Sequence, residues 1–295
     1  MKTLKKLTRK ERNLKMEENN SKNNLSETVR WAYWGGPDIS VYFLEECKNI
    51  GFLPHLIITT PDRKVGRKQI LTETPLAIFA NENKIKVLKP ESLKENEDLK
   101  SELKNIDLSF VTAYGKIIPK DLLDLPKYKT LNFHPSLLPK YRGPSPIMSA
   151  LLDDTKNTGV SIMQLDEKMD HGPVLIQEKM IIDEWIKNDE LEKGFAYFGA
   201  SIFTAIFDQY IYGKLELKEQ DHEQATFCEK FEKKDMELLG SDDDYLKYRK
   251  YCAFPKPFFF EDEKRYVVTQ ATYTENKFVI EKVIPEGKKE RDWVN

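Results

Sequence analysis

Short apolar segments alternate with amphipathic ones from Val29 to His134, and this alternation constrains the fold more than any other feature of the chain. Runs of β-branched and aromatic residues indicate strands, whereas apolar residues that recur about every 3.6 positions indicate helices. Regular alternation of the two is typical of a doubly wound α/β fold with a parallel sheet, in which ligands bind at the carboxyl ends of the strands. The predicted strands cover 29–34, 56–60, 85–88, 106–113 and 130–134, and the predicted helices cover 40–50, 75–84 and 120–125.

The second half of the chain predicts a change of architecture. Ser145 followed by Pro146 is typical of an N-cap and a first helical residue, so a helix is expected over 146–153. Two strands are predicted next, at 159–166 and 174–182, and a long apolar helix follows at 191–213. Two further strands are predicted near the C-terminus, at 265–273 and 277–284. We therefore predict a polar, disordered tail at 1–28, a Rossmann-like catalytic domain at 29–212, a linker at 213–226 and a small β-rich, OB-like barrel domain at 227–295.

The overall charge and the cysteines exclude several classes of protein. With 47 Lys and Arg against 49 Asp and Glu, the net charge of -2 excludes a generally basic nucleic-acid binder, although local basic patches remain open. No apolar run approaches the roughly 20 residues that cross a bilayer, and the N-terminus lacks the apolar segment of a secretory signal. Cys47, Cys228 and Cys252 lie too far apart to indicate a disulfide framework or a zinc site. We expect a cytoplasmic protein with no membrane contact.

An amide, an imidazole and a carboxylate are the candidate catalytic groups. Asn132 and His134 lie two apart in a predicted strand, so their side chains point to one face while Leu131 and Phe133 point into the core. Asp170 follows in a turn 36 residues after His134. Transfer of an acyl group to an amine needs donors for a developing oxyanion and an acceptor for the amine's proton. The three side chains are suited to that chemistry if they meet in one cleft.

Three motifs carry a resemblance to a known family. N-x-H-P-S-L-L-P at 132–139, Y-R-G-P-S-P at 141–146 and M-D-x-G-P at 169–173 resemble the motifs of the folate-dependent formyltransferases. The resemblance extends from about Val29 to Glu290 and is closest to the tRNA-modifying branch, the methionyl-tRNA formyltransferases. A basic loop at 61–68 and the ending P-E-G-K-K at 285–289 favour that branch. One departure is Trp34-Gly35-Gly36-Pro37, where the family pattern Phe-x-Gly-Thr-Pro has a threonine hydroxyl.

The resemblance implies an activity and a role for each matching residue. The activity is transfer of the formyl group of 10-formyltetrahydrofolate to the α-amine of initiator methionyl-tRNA, with no metal; we expect a monomer. Asn132 and His134 are implied to stabilise the oxyanion, and Asp170 to orient His134 or a water and collect the proton lost by the amine. Folate contacts are implied at Ala113, Tyr114, Gly115, Ser136, Leu137, Leu138 and Pro139. Contacts with tRNA are implied at Arg63, Lys64, Arg67, Lys68, Lys288 and Lys289.

Other functions fit the same residues. A sugar-nucleotide N-formyltransferase shares the three catalytic groups, but it would act on a 4-amino-sugar nucleotide and would not need Lys288 or Lys289. A catalytically inactive tRNA-binding protein is a further alternative, against which the presence of all three groups speaks. The basic loop also has a plain interpretation as a solvated connection, because charged runs are common on protein surfaces.

Overall fold

The computed structural model describes residues 28–65, 68–153, 156–182, 186–228, 231–241, 243–252, 256–274 and 277–293. The tail predicted at 1–28 lies, apart from Thr28, outside the described residues, as does Arg67. Among the described residues, no helix is long and apolar enough to cross a membrane.

A seven-stranded sheet forms the centre of the larger domain. Its strands lie in the order β5-β2-β1-β6-β7-β8-β9; the first five are parallel, and β8 and β9 are antiparallel to their neighbours. The predicted α/β class is therefore confirmed, with two antiparallel strands added at one edge. The seven strands are β1 (Trp31–Trp34), β2 (Leu56–Ile58), β5 (Lys86–Leu88), β6 (Leu108–Val111), β7 (Thr130–His134), β8 (Asn157–Gln164) and β9 (Val174–Ile181).

Helices cover both faces of this sheet because its central strands are apolar on both sides. On β1, Trp31 and Tyr33 pack against one set of helices, and Ala32 and Trp34 pack against the other. An apolar run with no polar face is typical of a strand buried in a parallel sheet. The first face carries α1 (Asp38–Asn49), α2 (Pro75–Glu82), α5 (Pro146–Leu152) and α6 (Asn188–Ile211), and the second carries α3 (Glu97–Leu103) and α4 (Lys120–Leu123).

The predicted basic loop is a β-hairpin. Strand β3 (Arg63–Val65) pairs with β4 (Ile70–Thr72) in an antiparallel register. Its β-branched residues favour extended backbone. In the sequence, however, the neighbouring charged residues indicated a solvated loop. Lys89 lies 2.6 Å from both Asp62 and Glu73, which immediately flank the hairpin, and thus ties its base to the sheet domain.

The charged segment predicted as a linker is bound to the larger domain. We call residues 215–228 the interdomain strap. Leu215 and Leu217 pack against the main core. The backbone of Lys218 exchanges two hydrogen bonds with Val174, at 2.8 and 2.9 Å. Antiparallel pairing of this kind fixes the strap against the edge strand β9.

The C-terminal part is a small antiparallel β domain, as predicted. Its strands β10 (Phe258–Glu261), β11 (Lys264–Thr274), β12 (Lys277–Pro285) and β13 (Arg291–Asp292) lie in sequential order. Helix α7 (Asp244–Tyr251) packs on this sheet through Tyr248, whose hydroxyl accepts a hydrogen bond from the backbone of Ala271 at 3.0 Å. The sequential order is a meander, and among the described residues no fifth strand closes it into the expected OB-like barrel.

Candidate active site

Strand β7 presents Asn132 and His134 at the carboxyl end of the sheet. Leu131 and Phe133 point into the main core, whereas Asn132 and His134, which are 7% and 4% exposed, line a cleft. No hydrogen bond to the side chain of Asn132 is present among the described residues, so its amide can serve a ligand. An amide that no protein group occupies can both donate to and accept from a ligand.

Helix α6 fixes the position of this strand from behind. A Cβ atom added to Gly199 would lie 2.2 Å from Cε2 of Phe133, far inside van der Waals contact. Only glycine therefore lets the helix approach the ring so closely. Because Phe133 lies between Asn132 and His134, this contact sets the depth of both polar side chains in the cleft.

One ring nitrogen of His134 is hydrogen-bonded to the protein backbone, and the other faces Asp170. Its Nε2 lies 2.8 Å from the carbonyl oxygen of Tyr141, which can only accept, so this nitrogen carries a hydrogen. Its Nδ1 lies 3.6 Å from Oδ1 of Asp170. Nδ1 therefore faces the carboxylate across a distance slightly longer than a hydrogen bond.

Asp170 is held by backbone groups in a tight turn. Its Oδ2 accepts a hydrogen bond from the backbone N–H of Gly143 at 2.7 Å. Its own backbone is left-handed, with φ of 48°, a conformation that a non-glycine residue adopts only where its surroundings hold it. The turn is also closely packed, because a Cβ atom on Gly172 would lie 2.1 Å from the carbonyl oxygen of Gln164.

The cleft has a volume of about 490 Å³, which is in the usual range for a small-molecule site. Ala113, Tyr114 and Gly115 line it, as do all three candidate catalytic residues. Ala113 and Gly115 have positive φ angles of 49° and 76°, so this segment turns sharply after β6. Burial raises the pKa of Tyr114 to about 12, and its hydroxyl therefore stays protonated at neutral pH.

The segment Ser136–Pro139 lies behind the cleft rather than on its surface. Ser136 is fully buried and its hydroxyl donates to the carbonyl of Lys140 at 2.6 Å. The backbone N–H of Leu138 donates to the hydroxyl of Ser161 at 3.1 Å. Among the described residues, Pro135 and Gly143 line the cleft, whereas residues 136–139 do not. Direct folate contact by Ser136, Leu137, Leu138 and Pro139 stays a prediction; in this structure the Ser136 hydroxyl and the Leu138 N–H are bonded within the protein.

The cleft also contains a carboxyl group that the sequence did not single out. Glu192 lines it one helical turn after Asn188 on α6. Burial, followed by the negative charges of Asp38 and Asp189, raises the pKa of Glu192 to about 7. Near neutral pH this group can gain or lose a proton inside the cleft.

The predicted tRNA-contacting residues that the structure describes lie on the surface of both domains. Arg63 and Lys64 are exposed on β3, and Lys68 is exposed in the hairpin turn. Lys288 and Lys289 are exposed between β12 and β13 of the C-terminal domain. Val65, Ile70 and Leu71 are more than half exposed on the same hairpin, so it presents an apolar surface beside its cations. Among the described residues, no group of His, Cys, Asp and Glu side chains forms a metal site.

Comparison with known proteins connects this site to a family. A family model described as "Formyl transferase" matches residues 43–206. The methionyl-tRNA formyltransferase of Sulfurihydrogenibium sp. is 34% identical over 242 residues, which are 80% of this chain and 78% of that relative. The methionyl-tRNA formyltransferase of Wolbachia pipientis is 35% identical over 247 residues, 83% of this chain and 81% of the relative.

A solved structure shares the fold as well. The methionyl-tRNA formyltransferase from Clostridium thermocellum superposes with a TM-score of 0.59 at 14% identity, covering 90% of this chain and 100% of the other. The α/β domain, its cleft and the family model together define the protein as a formyltransferase. Its identity to the two relatives over most of their length goes further, and the chain belongs to the methionyl-tRNA formyltransferase family.

Proposed function

We propose that this enzyme transfers the formyl group of 10-formyltetrahydrofolate to the α-amine of methionine on initiator tRNA. The observation that carries the proposal is the meeting of Asn132, His134 and Asp170 in one cleft, with Nδ1 of His134 3.6 Å from Asp170. The relatives at 34% and 35% identity support the choice of tRNA as acceptor, because both are named for that substrate.

The first step of the reaction forms a tetrahedral centre. The amine nitrogen attacks the formyl carbon, and the formyl oxygen becomes negative. The amide N–H of Asn132 is a donor for that oxygen, and His134 can approach it only through Nδ1, since Nε2 is occupied by the Tyr141 carbonyl. Donors placed in advance at a developing oxyanion supply about 10²–10³ in rate for each group.

The amine must also lose a proton as the new bond forms. The carboxylate of Asp170, directly or through a water, accepts this proton, and its other oxygen stays anchored by the Gly143 N–H. Collapse of the tetrahedral centre then breaks the bond between the formyl carbon and N10 of the folate. N10 takes up a proton, so tetrahydrofolate and the formylated amine leave.

Ala113, Tyr114 and Gly115 are proposed to contact folate, with the backbone of the turn supplying hydrogen bonds and the Tyr114 ring an apolar wall. Arg63, Lys64, Lys68, Lys288 and Lys289, together with Arg67, are proposed to contact tRNA phosphates. Such contacts give salt-sensitive affinity without reading bases.

A competition assay tests the proposal. Purified protein is supplied with 10-formyltetrahydrofolate, methionyl initiator tRNA and a 4-amino-sugar nucleotide, and both products are quantified. We expect formyl-methionyl-tRNA as the main product, and a higher kcat/KM for the tRNA. Preferential formylation of the sugar nucleotide would establish the alternative acceptor, and no transfer to either would refute the enzyme assignment.

A further inference from the structure

A buried arginine and a buried glutamine connect the interdomain strap to the catalytic turn. Gln220 of the strap and Arg142 are 7% and 4% exposed. The side-chain amide of Gln220 donates to the carbonyl oxygens of Asp170, at 3.0 Å, and Gly172, at 2.7 Å. Its carbonyl oxygen accepts from Nη2 of Arg142 at 2.7 Å and from Nε at 3.2 Å. All four hydrogen-bonding positions of this amide are therefore used.

These contacts act where the backbone is under strain. Asp170, whose left-handed φ is 48°, carries the first of the two carbonyl groups that Gln220 holds, and Gly172 carries the second. Because the carboxylate direction depends on this backbone, a donor that fixes both carbonyls also fixes the carboxylate relative to His134.

Arg142 fixes Gln220 in turn. Its Nη2 also contacts Nδ1 of His222, at 2.8 Å; since a guanidinium only donates, that nitrogen carries the lone pair. No ion pair with a carboxylate is formed by Arg142 among the described residues, so its buried charge depends on the contacts with Gln220 and His222. Its chain neighbours Tyr141 and Gly143 are the residues whose backbone holds His134 and Asp170. One short segment thus orders both catalytic side chains.

We infer that Gln220, oriented by Arg142, is a positioning residue of the formyl-transfer reaction, which acts by holding the backbone of the Asp170 turn from the interdomain strap. The inference rests on the proposed function. Displacement of a reacting group by about 1 Å can cost about 10²-fold in rate, so the effect is expected in kcat. Folate affinity should not change, because neither side chain lines the cleft.

Gln220→Glu separates this role from a merely structural one. The new carboxylate keeps the size of the side chain and forms an ion pair with Arg142, which supports folding. It removes both N–H donors to the carbonyls of Asp170 and Gly172. We expect kcat to fall by about 10- to 100-fold, with the protein still folded at the assay temperature and the affinity for a folate analogue nearly unchanged. Gln224→Glu, an exposed glutamine on the same strap, is the matched control and should keep the wild-type kcat.

A double-mutant cycle asks whether Gln220 acts through Asp170. Single-turnover rates with excess enzyme are measured for Gln220→Glu in the wild-type and Asp170→Asn backgrounds. We expect the substitution to have little further effect once Asp170 is replaced. An equal loss in both backgrounds, or an unchanged kcat in Gln220→Glu, would overturn the inference.

Gln220→Met provides a second variant without an added charge, and it should lower kcat in the same way. Wild-type activity in the same assay distinguishes a failure of the positioning role from a failure of the proposed function. If wild-type enzyme formylates methionyl-tRNA and the Gln220 variants do so equally well, only the positioning role fails; if wild-type enzyme is inactive, the proposed function fails.

Discussion

The carbonyl oxygen of Tyr141 lies 2.8 Å from Nε2 of His134 and fixes which nitrogen of that histidine is free for chemistry. The free nitrogen, Nδ1, faces the carboxylate of Asp170 at 3.6 Å. In this arrangement the free nitrogen of the histidine and the carboxylate that can accept a proton face each other. Oxyanion stabilisation and proton removal can therefore take place on one side of the ring.

Replacement of Asp170 should strongly lower kcat without weakening the binding of folate. Asp170→Asn keeps the size of the side chain but removes the proposed proton acceptor. We expect kcat to fall by at least about 10²-fold, with the dissociation constant of a folate analogue within about threefold of wild type. Steady-state kinetics and fluorescence titration measure the two quantities. Asp98→Asn, on the exposed first turn of α3, is the control; unchanged kcat in Asp170→Asn would remove this residue from the mechanism.

Two glycines of helix α6 should respond in opposite ways to alanine. Gly199→Ala would push a methyl group into the ring of Phe133, so we expect a loss of about 1–3 kcal/mol in the free energy of unfolding and a lower kcat. Gly194→Ala meets nothing within 4 Å and should be neutral or gain up to about 1 kcal/mol from helix propensity. Denaturant unfolding compares the two variants. Equal effects would show that the contact with Phe133 does not set the position of β7.

The basic hairpin should matter for tRNA and not for folate. The double variant Arg63→Ala and Lys64→Ala is expected to raise the KM for methionyl-tRNA about 3- to 10-fold, to leave the KM for folate unchanged, and to flatten the salt dependence of tRNA binding. Arg67→Ala should act in the same direction. Lys104→Ala, an exposed lysine at the end of α3, is the control for a general loss of positive charge. If it raises the tRNA KM equally, the hairpin has no special role.

Glu192 should make stability depend on pH. Its pKa is raised by burial from 4.5 to about 7, so the folded protein binds this proton more tightly than the unfolded chain. The contribution of Glu192 to stability therefore falls as pH rises from about 4.5 to about 7, and the full cost is present above that range. Glu192→Gln should remove a cost on the order of 1–3 kcal/mol at pH 8 and have little effect near pH 4.5. Thermal unfolding from pH 4.5 to 8.5 measures this, with the exposed Glu190→Gln as control; a gain independent of pH would contradict the assignment.

Sequence reasoning was most successful where a local period determines the outcome. The alternation in β7 predicts that Asn132 and His134 share a face, because successive side chains of a strand point to opposite sides. The turn at 169–173 is also apparent from its glycine and proline. The α/β class follows from the order of apolar segments, and the structure confirms it.

The contacts that sequence could not supply are made by backbone groups and by residues far apart in the chain. The bonds from Tyr141 and Gly143 to His134 and Asp170 use a backbone carbonyl and a backbone N–H, which do not depend on the side chain of the residue that supplies them. Gln220 lies in a charged segment that has the composition of a linker, and its burial depends on the tertiary path of the strap. The hairpin at 63–72 was not predicted, because its lysine and arginine residues indicated a solvated loop. Composition indicates solvation and says little about strand pairing.

The interdomain strap changes what counts as the catalytic unit. The carbonyl of Thr226 accepts from the backbone N–H of Arg142 at 2.8 Å, and the backbone of Cys228 donates to the carbonyl of Arg142 at 2.7 Å. A variant truncated at the end of α6 would keep Asn132, His134 and Asp170. It would lack Thr226 and Cys228, whose backbone groups bind the segment around Arg142. We therefore expect that exchange of the C-terminal domain for another must preserve the chain as far as Cys228 if the segment around Arg142 is to stay in place.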